Sequence, residues 1–195
     1  MRRPELQDTF NYAIPIWDVN ISPDGKSLAV ARDDGRITFI ALATRKFEFE
    51  LLTFGGLYVT AFSPNGTWIA AGSNEGTITF WNLRDGRVLT GPSHRGEVFE
   101  IAFSPDSSKL ISGGSDSFAF MTQVSNGAKL FQITNEDWVE DLTFSRMANG
   151  LLPFLMIKVR VWDTATGEKI RMLQDSFLSS VEISPGWSMA CHHWL

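Results

Sequence analysis

Apolar and polar positions along this chain fall into a unit that is written several times, most cleanly from Val59 to Leu83. Leu57-Tyr58-Val59-Thr60-Ala61-Phe62 is apolar, β-branched and aromatic, and predicts a first strand. Ser63-Pro64-Asn65-Gly66 follows as a turn, Pro presetting φ and Gly supplying the positive φ that other residues resist. Trp68-Ile69-Ala70-Ala71 is short and nearly all apolar, which predicts a strand buried on both faces. After a tight turn at Asn74-Glu75-Gly76, Thr77 to Trp81 alternates as a third strand. A weaker fourth strand is expected near Arg87 to Leu89, beyond Arg84-Asp85-Gly86. Its counterpart one unit earlier, Phe47-Glu48-Phe49-Glu50-Leu51, has one apolar and one charged face, the pattern of an outer edge strand.

Echoes of Phe62-Ser63-Pro64 stand at Ile21-Ser22-Pro23, Phe103-Ser104-Pro105, Phe144-Ser145 and Ile183-Ser184-Pro185. The leading residues are at 21, 62, 103, 144 and 183, in steps of 41, 41, 41 and 39. A period of this size is that of four-stranded propeller blades. The repeats run over about 16–52, 57–91, 98–132 and 139–173, with a partial fifth from 178, and 1–195 reads as one repeat domain. The opening Leu6-Gln7-Asp8-Thr9-Phe10 recurs as Leu173-Gln174-Asp175-Ser176-Phe177, where one blade's outer strand hands over to the next. It reads either as the last strand of a further blade or as a leader.

On these residues the chain resembles the WD-repeat (WD40) β-propeller family. The signature dipeptide is intact at Trp162-Asp163 and stands as Trp81-Asn82 in the second repeat, whereas Ile40-Ala41 and Thr122-Gln123 replace it in the first and third. The resemblance implies an all-β fold of four-stranded antiparallel blades, about four of them plus partial ones, in a ring expected to be incomplete. It also implies structural roles for His94, Asp34, Asp116, Trp81, Trp162 and Asp163. In the family, a His before the first strand, a strand hydroxyl, an Asp in the second turn and the third-strand Trp share a buried hydrogen-bond network. Here Asp116 is in the Asp position of the blade that His94 precedes, but Thr122 replaces the Trp. The second repeat has Trp81 but Glu75 for Asp and Thr53 for His, so no repeat carries the full set.

Trp17, Tyr58 and Phe99 occupy one position of successive repeats, which Glu140 ends. Exposed on one rim, they would be natural anchors for a protein partner. The position also has the parity of Val19 and Ile21, so core packing is the competing reading.

Two stretches break the pattern. Residues 146–157 lack both turns and carry Pro153 where a central strand should run. Back-translated with one C restored after the Ser145 codon, the stretch reads S-P-D-G-K-W-L-A-T-V-P-D-D-K, an ordinary repeat middle. Removing one G from a back-translation of 186–195 gives D-G-R-W-L-A-T-T-G, which continues Ile183-Ser184-Pro185. Both are expected to be out-of-frame translation, genuine divergence being the alternative; reading the encoding DNA decides between them.

Composition narrows the function classes. Net charge is −5 and no run of Lys or Arg exceeds a pair, which argues against a nucleic-acid backbone as partner. One cysteine excludes an internal disulfide, and no signal peptide or membrane span is read, so an intracellular place, cytoplasmic or nuclear, is expected. Cys191-His192-His193 is no metal site, because adjacent residues of an extended chain point to opposite faces. No phosphate loop and no paired carboxylates are read, no acidic or His cluster is read as recurring from repeat to repeat, and no cofactor is expected. The expected function is a non-catalytic scaffold for protein–protein interaction. The alternatives are a truncated or pseudogene-like fragment and, less favoured, a propeller enzyme.

Overall fold

The computed structural model describes residues 13–144 in full and, beyond them, the backbone of 150–155, 158–163, 169–174, 178–183 and 189–193. All regular structure among the described residues is β. The strands are β1 (Ile16–Ile21), β2 (Ser27–Arg32), β3 (Arg36–Ala41), β4 (Lys46–Leu52), β5 (Leu57–Phe62), β6 (Trp68–Ser73), β7 (Ile78–Asn82), β8 (Val88–Thr90) and β9 (Val98–Phe103). They continue with β10 (Lys109–Gly114), β11 (Phe118–Gln123), β12 (Lys129–Thr134), β13 (Asp141–Phe144), β14 (Gly150–Leu155), β15 (Lys158–Asp163), β16 (Lys169–Gln174), β17 (Leu178–Ile183) and β18 (Met189–His193). Each consecutive set of four forms one antiparallel meander, and β17 and β18 pair alone. The innermost strands β1, β5, β9 and β13 lie side by side, which places the sheets as successive blades of an incomplete propeller.

The serine of each first turn explains why the turn recurs. Ser63 Oγ accepts from Trp68 N at 2.9 Å and donates to Asn65 Oδ1 at 2.8 Å, and Gly66 bends at φ 67°. Ser22 with Asp24 and Ser104 with Asp106 repeat the arrangement. Ser107 takes the glycine's place at φ 63°, and its hydroxyl accepts from Asn65 N of the neighbouring blade at 3.1 Å.

Among the described residues, three apolar seams hold the blades together. Ala29, Ala31, Ile37 and Phe39 of the first blade meet Leu57, Ile69, Ala71 and Trp81 of the second. Val59, Ala70, Ile78 and Phe80 then meet Val98, Ile101, Phe103 and Leu110, and Ile111, Ala119 and Met121 meet Val139 and Leu142. The fit is close: a methyl added at Gly72 would overlap the Val98 side chain, and one at Gly113 would overlap Val139.

The innermost strands β1, β5 and β9 carry a bulge at the same place, as does β17, where Ser179 is the extra residue; β13 pairs without one. Leu57 pairs with Ser73 and Val59 with Gly72, so Tyr58 is the extra residue. Trp17 is extra between Ile16 and Asp18, and Phe99 between Val98 and Glu100. A bulge reverses the side-chain alternation beyond it. Leu57 therefore enters the seam with the first blade and Val59 the seam with the third, although they are two residues apart.

Of the two anomalous stretches, residues 146–149, 156, 157, 186–188, 194 and 195 lie outside the described residues, as does the opening segment 6–10. β14 runs through Pro153 as the second strand of its sheet. Its ladder to β15 pairs Leu151 with Trp162 and Phe154 with Val159, and skips Leu152 and Pro153 between them. The interruption falls where proline has no N–H to give.

Candidate functional site

The bulges define the chemistry of one rim. An extra residue in a ladder is free to aim away from both seams, and in the first three blades the extra residue is aromatic. The Trp17 ring is 55% exposed and meets Tyr58 edge-on, with centroids 5.1 Å apart. Trp17 Nε1 donates to Asp33 Oδ1 at 3.0 Å, and Tyr58 Oη donates to Glu97 Oε1 at 3.3 Å. Phe99 packs on Trp138, centroids 5.7 Å apart, and Trp138 is 52% exposed. Asp33, Trp17, Tyr58 and Glu97 thus form one run of contacts across three blades, and Phe99 with Trp138 carries the aromatic surface toward the fourth. Phe54, 86% exposed, projects from a loop whose Gly55 and Gly56 pack against Asn74 and Asp33 at this same end of the sheets. The parity argument for core packing fails here because it takes each strand as unbulged.

Trp138 and Phe54 are additions that the repeat alignment does not give. Trp138 lies two residues before Glu140, in the approach to β13, and Phe54 is in a loop; both are aromatics beside, not within, the repeated position.

His94, Asp116 and Ser112 come together behind the rim. His94 Nδ1 lies 2.8 Å from Asp116 Oδ1, and Nε2 lies 2.9 Å from Ser112 Oγ. Asp116 also accepts from Arg95 N at 2.9 Å and Phe118 N at 3.2 Å. Burial opposes its charge, but the bonds from His94 and the two amides outweigh it and hold the carboxyl below the usual range. Burial likewise lowers the His94 imidazole, against the pull of Asp116. The neutral ring therefore donates a hydrogen bond from Nδ1–H to the Asp116 carboxylate and accepts one at Nε2 from the Ser112 hydroxyl. Thr122, in the family's Trp position, is buried with its hydroxyl unpaired, so the network ends at three side chains.

Asp34, one repeat before Glu75 and two before Asp116, has different partners. Arg32 Nη2 reaches it at 2.7 Å and Arg36 Nε at 3.3 Å, and both arginines also bind Glu50. Trp81 is buried in the seam between the first two blades. Trp162 and Asp163 end β15, where they pair with Leu151 and Gly150; their side chains lie outside the described residues, as do those of Cys191, His192 and His193.

One acidic position does recur, contrary to the sequence reading. Asp18, Glu100 and Asp141 stand at the same place of the first, third and fourth innermost strands, with Val59 in the second. Asp18 Oδ2 is satisfied across the seam by Thr60 N at 2.7 Å and Thr60 Oγ at 2.9 Å, and by Asn20 Nδ2 at 2.8 Å. The residue that corresponds to Thr60 in the fourth blade is Leu142, which offers Glu100 no hydroxyl. Burial, then the charges of Asp141 and Asp18, push the Glu100 carboxyl up to about 8. A gap inside the apolar alternation hid this position from a reading by motif.

At the opposite end of the sheets a cleft of about 600 Å³ lies between the first turns of blades one and two, lined in part by Phe39, Glu48, Phe49, Phe62 and Arg84. Its serines serve the fold: Ser22 Oγ donates to Asp24, and Ser27 Oγ to Glu48.

Blades, seams and bulged inner strands define a repeat protein of the β-propeller class. The WD40 family, "WD domain, G-beta repeat", matches residues 6–40, 51–82 and 86–121, and the chain belongs to that family. Among solved structures, it is similar to a chain of the "Crystal Structure of Mitotic Checkpoint Complex", with a TM-score of 0.77 and 19% identity. The likeness covers 85% of this chain and 55% of that one, so the chain spans about half the length of that neighbour. No curated protein matches significantly.

Proposed function

We propose that this chain is a non-catalytic docking module whose aromatic rim, anchored by Trp17, Tyr58 and Phe99 and extended by Trp138, binds other proteins inside the cell, in the cytoplasm or the nucleus. The observation that carries the reading is the bulge. In three blades a local irregularity turns an aromatic residue away from both seams and onto a common rim. Half-exposed tryptophans at such a place contribute little to packing and are suited to act as hot spots. Repeat membership makes a scaffold role natural, since family and fold alone leave the partner open. Neither nucleic acid nor membrane is a proposed partner, because the net charge of −5 would repel both phosphate and anionic lipid.

The test is affinity capture with the full chain and with a Trp17→Ala/Trp138→Ala variant, the captured proteins being identified by mass spectrometry. Proteins held by the parent and lost by the variant, at an unchanged melting temperature, are expected. Identical capture by both chains, or none by either, would overturn the reading.

A further inference from the structure

The geometry points to a cationic peptide segment, bearing Lys or Arg side chains, as the partner that this rim takes; the inference rests on the docking role proposed above and specifies its chemistry. The rim offers a cation two kinds of contact. Trp17 and Trp138 present half-exposed indole rings, whose negative faces attract ammonium and guanidinium groups. The polar atoms beside the rings are carboxylates: Asp33 holds the Trp17 indole N–H, and Glu97 holds the Tyr58 hydroxyl. Asp33 and Glu97 therefore sit at the ring edges, one on each side of the Trp17–Tyr58 pair.

The field behind the rings has the same sign. Asp18 and Asp141 follow the rim position directly in the first and fourth blades; Glu100, at the same place in the third, is kept largely neutral at pH 7 by burial, then by the charges of Asp141 and Asp18. Burial, then the charges of Glu97 and Asp33, similarly raise the Tyr58 phenol. The nearby cations do not cancel this field. Arg32 and Arg36 are spent on Asp34 and Glu50. Arg95 is the exception, exposed in the loop that leads to Glu97. An incoming Lys or Arg would gain ring and carboxylate contacts together. An acidic segment would meet like charge at Asp33 and Glu97.

The experiment is selection of a random peptide display library on the immobilised full chain. Binding of the enriched peptides is then measured by fluorescence anisotropy against the parent, Trp17→Ala and Glu97→Gln. Enriched peptides rich in Lys or Arg are expected. Their affinity should fall about three- to thirtyfold in Trp17→Ala, a smaller amount in Glu97→Gln, and severalfold when salt is raised from about 0.05 to about 0.5 M. Both side chains are partly exposed, and an unchanged melting temperature confirms that each variant is folded. Enriched peptides without excess positive charge that still lose binding in Trp17→Ala would overturn the cationic preference and leave the docking role standing. Peptides indifferent to Trp17→Ala, or no enrichment at all, would overturn both.

Discussion

Glu100 gives the sharpest handle on the energetics, because its position in the repeat is acidic in a place built for a different neighbour. In the first blade the matching Asp18 receives two hydrogen bonds from Thr60 across the seam, but Glu100 faces a blade in which that residue is Leu142. Burial and the charges of Asp141 and Asp18 raise its pKa from 4.5 to about 8. The sign follows from proton counting: between those values the folded chain holds more protons than the unfolded one, so Glu100 subtracts stability as pH rises. The full shift would correspond to about 5 kcal/mol above pH 8. The side chain is only half-buried, and solvent screening reduces the expected effect to about 1–2 kcal/mol. Glu100→Gln keeps the shape and removes the charge. Urea denaturation of parent and variant at a series of pH values should give equal stabilities near pH 4.5 and a variant about 1–2 kcal/mol more stable near pH 8.5. A difference that does not change with pH, or a variant less stable at pH 8.5, would show that Glu100 is a satisfied carboxylate, and the account of the acidic position would be wrong.

Two further outcomes are expected. Asp116→Asn removes the acceptor charge shared by His94, Arg95 N and Phe118 N and should cost about 2–3 kcal/mol at pH 7. Because the Asp116 carboxyl is held low, its contribution is present above the unfolded value of 3.8 and lost as pH falls through the folded one. The penalty measured by thermal melts should therefore shrink in acid. Leu57→Ala should cost about 2–4 kcal/mol in chemical denaturation, whereas Ile16→Ala, at the same position of the first blade, should cost under about 1 kcal/mol. Leu57 is 1% exposed in a seam and Ile16 is 41% exposed.

How much of this was legible in the sequence depends on the length scale of the signal. Strands and turns are local, and the period of 41 multiplied each local cue, so β5 is read residue for residue from Leu57 to Phe62. The approach of His94 to Asp116 across 22 residues was legible because both occupy family positions with a known relation. The different fate of Asp34 was not, since Arg32 and Arg36, which flank it, are charged residues on no family position. The rim was left undecided for a more instructive reason. Parity along a strand tells core from surface only while the ladder is regular, and one inserted residue reverses it. Tyr58 is where the reversal happens, which is why Leu57 and Val59 serve different seams. The same insertion that spoils the sequence argument sets the aromatic side chains free of the seams. A propeller blade needs both sheet faces for its neighbours, and a bulged residue on the inner strand can present a large ring without removing an apolar group from either. Aromatic residues at this position are therefore compatible with tight blade packing, and the rim can vary in chemistry while the seams stay fixed.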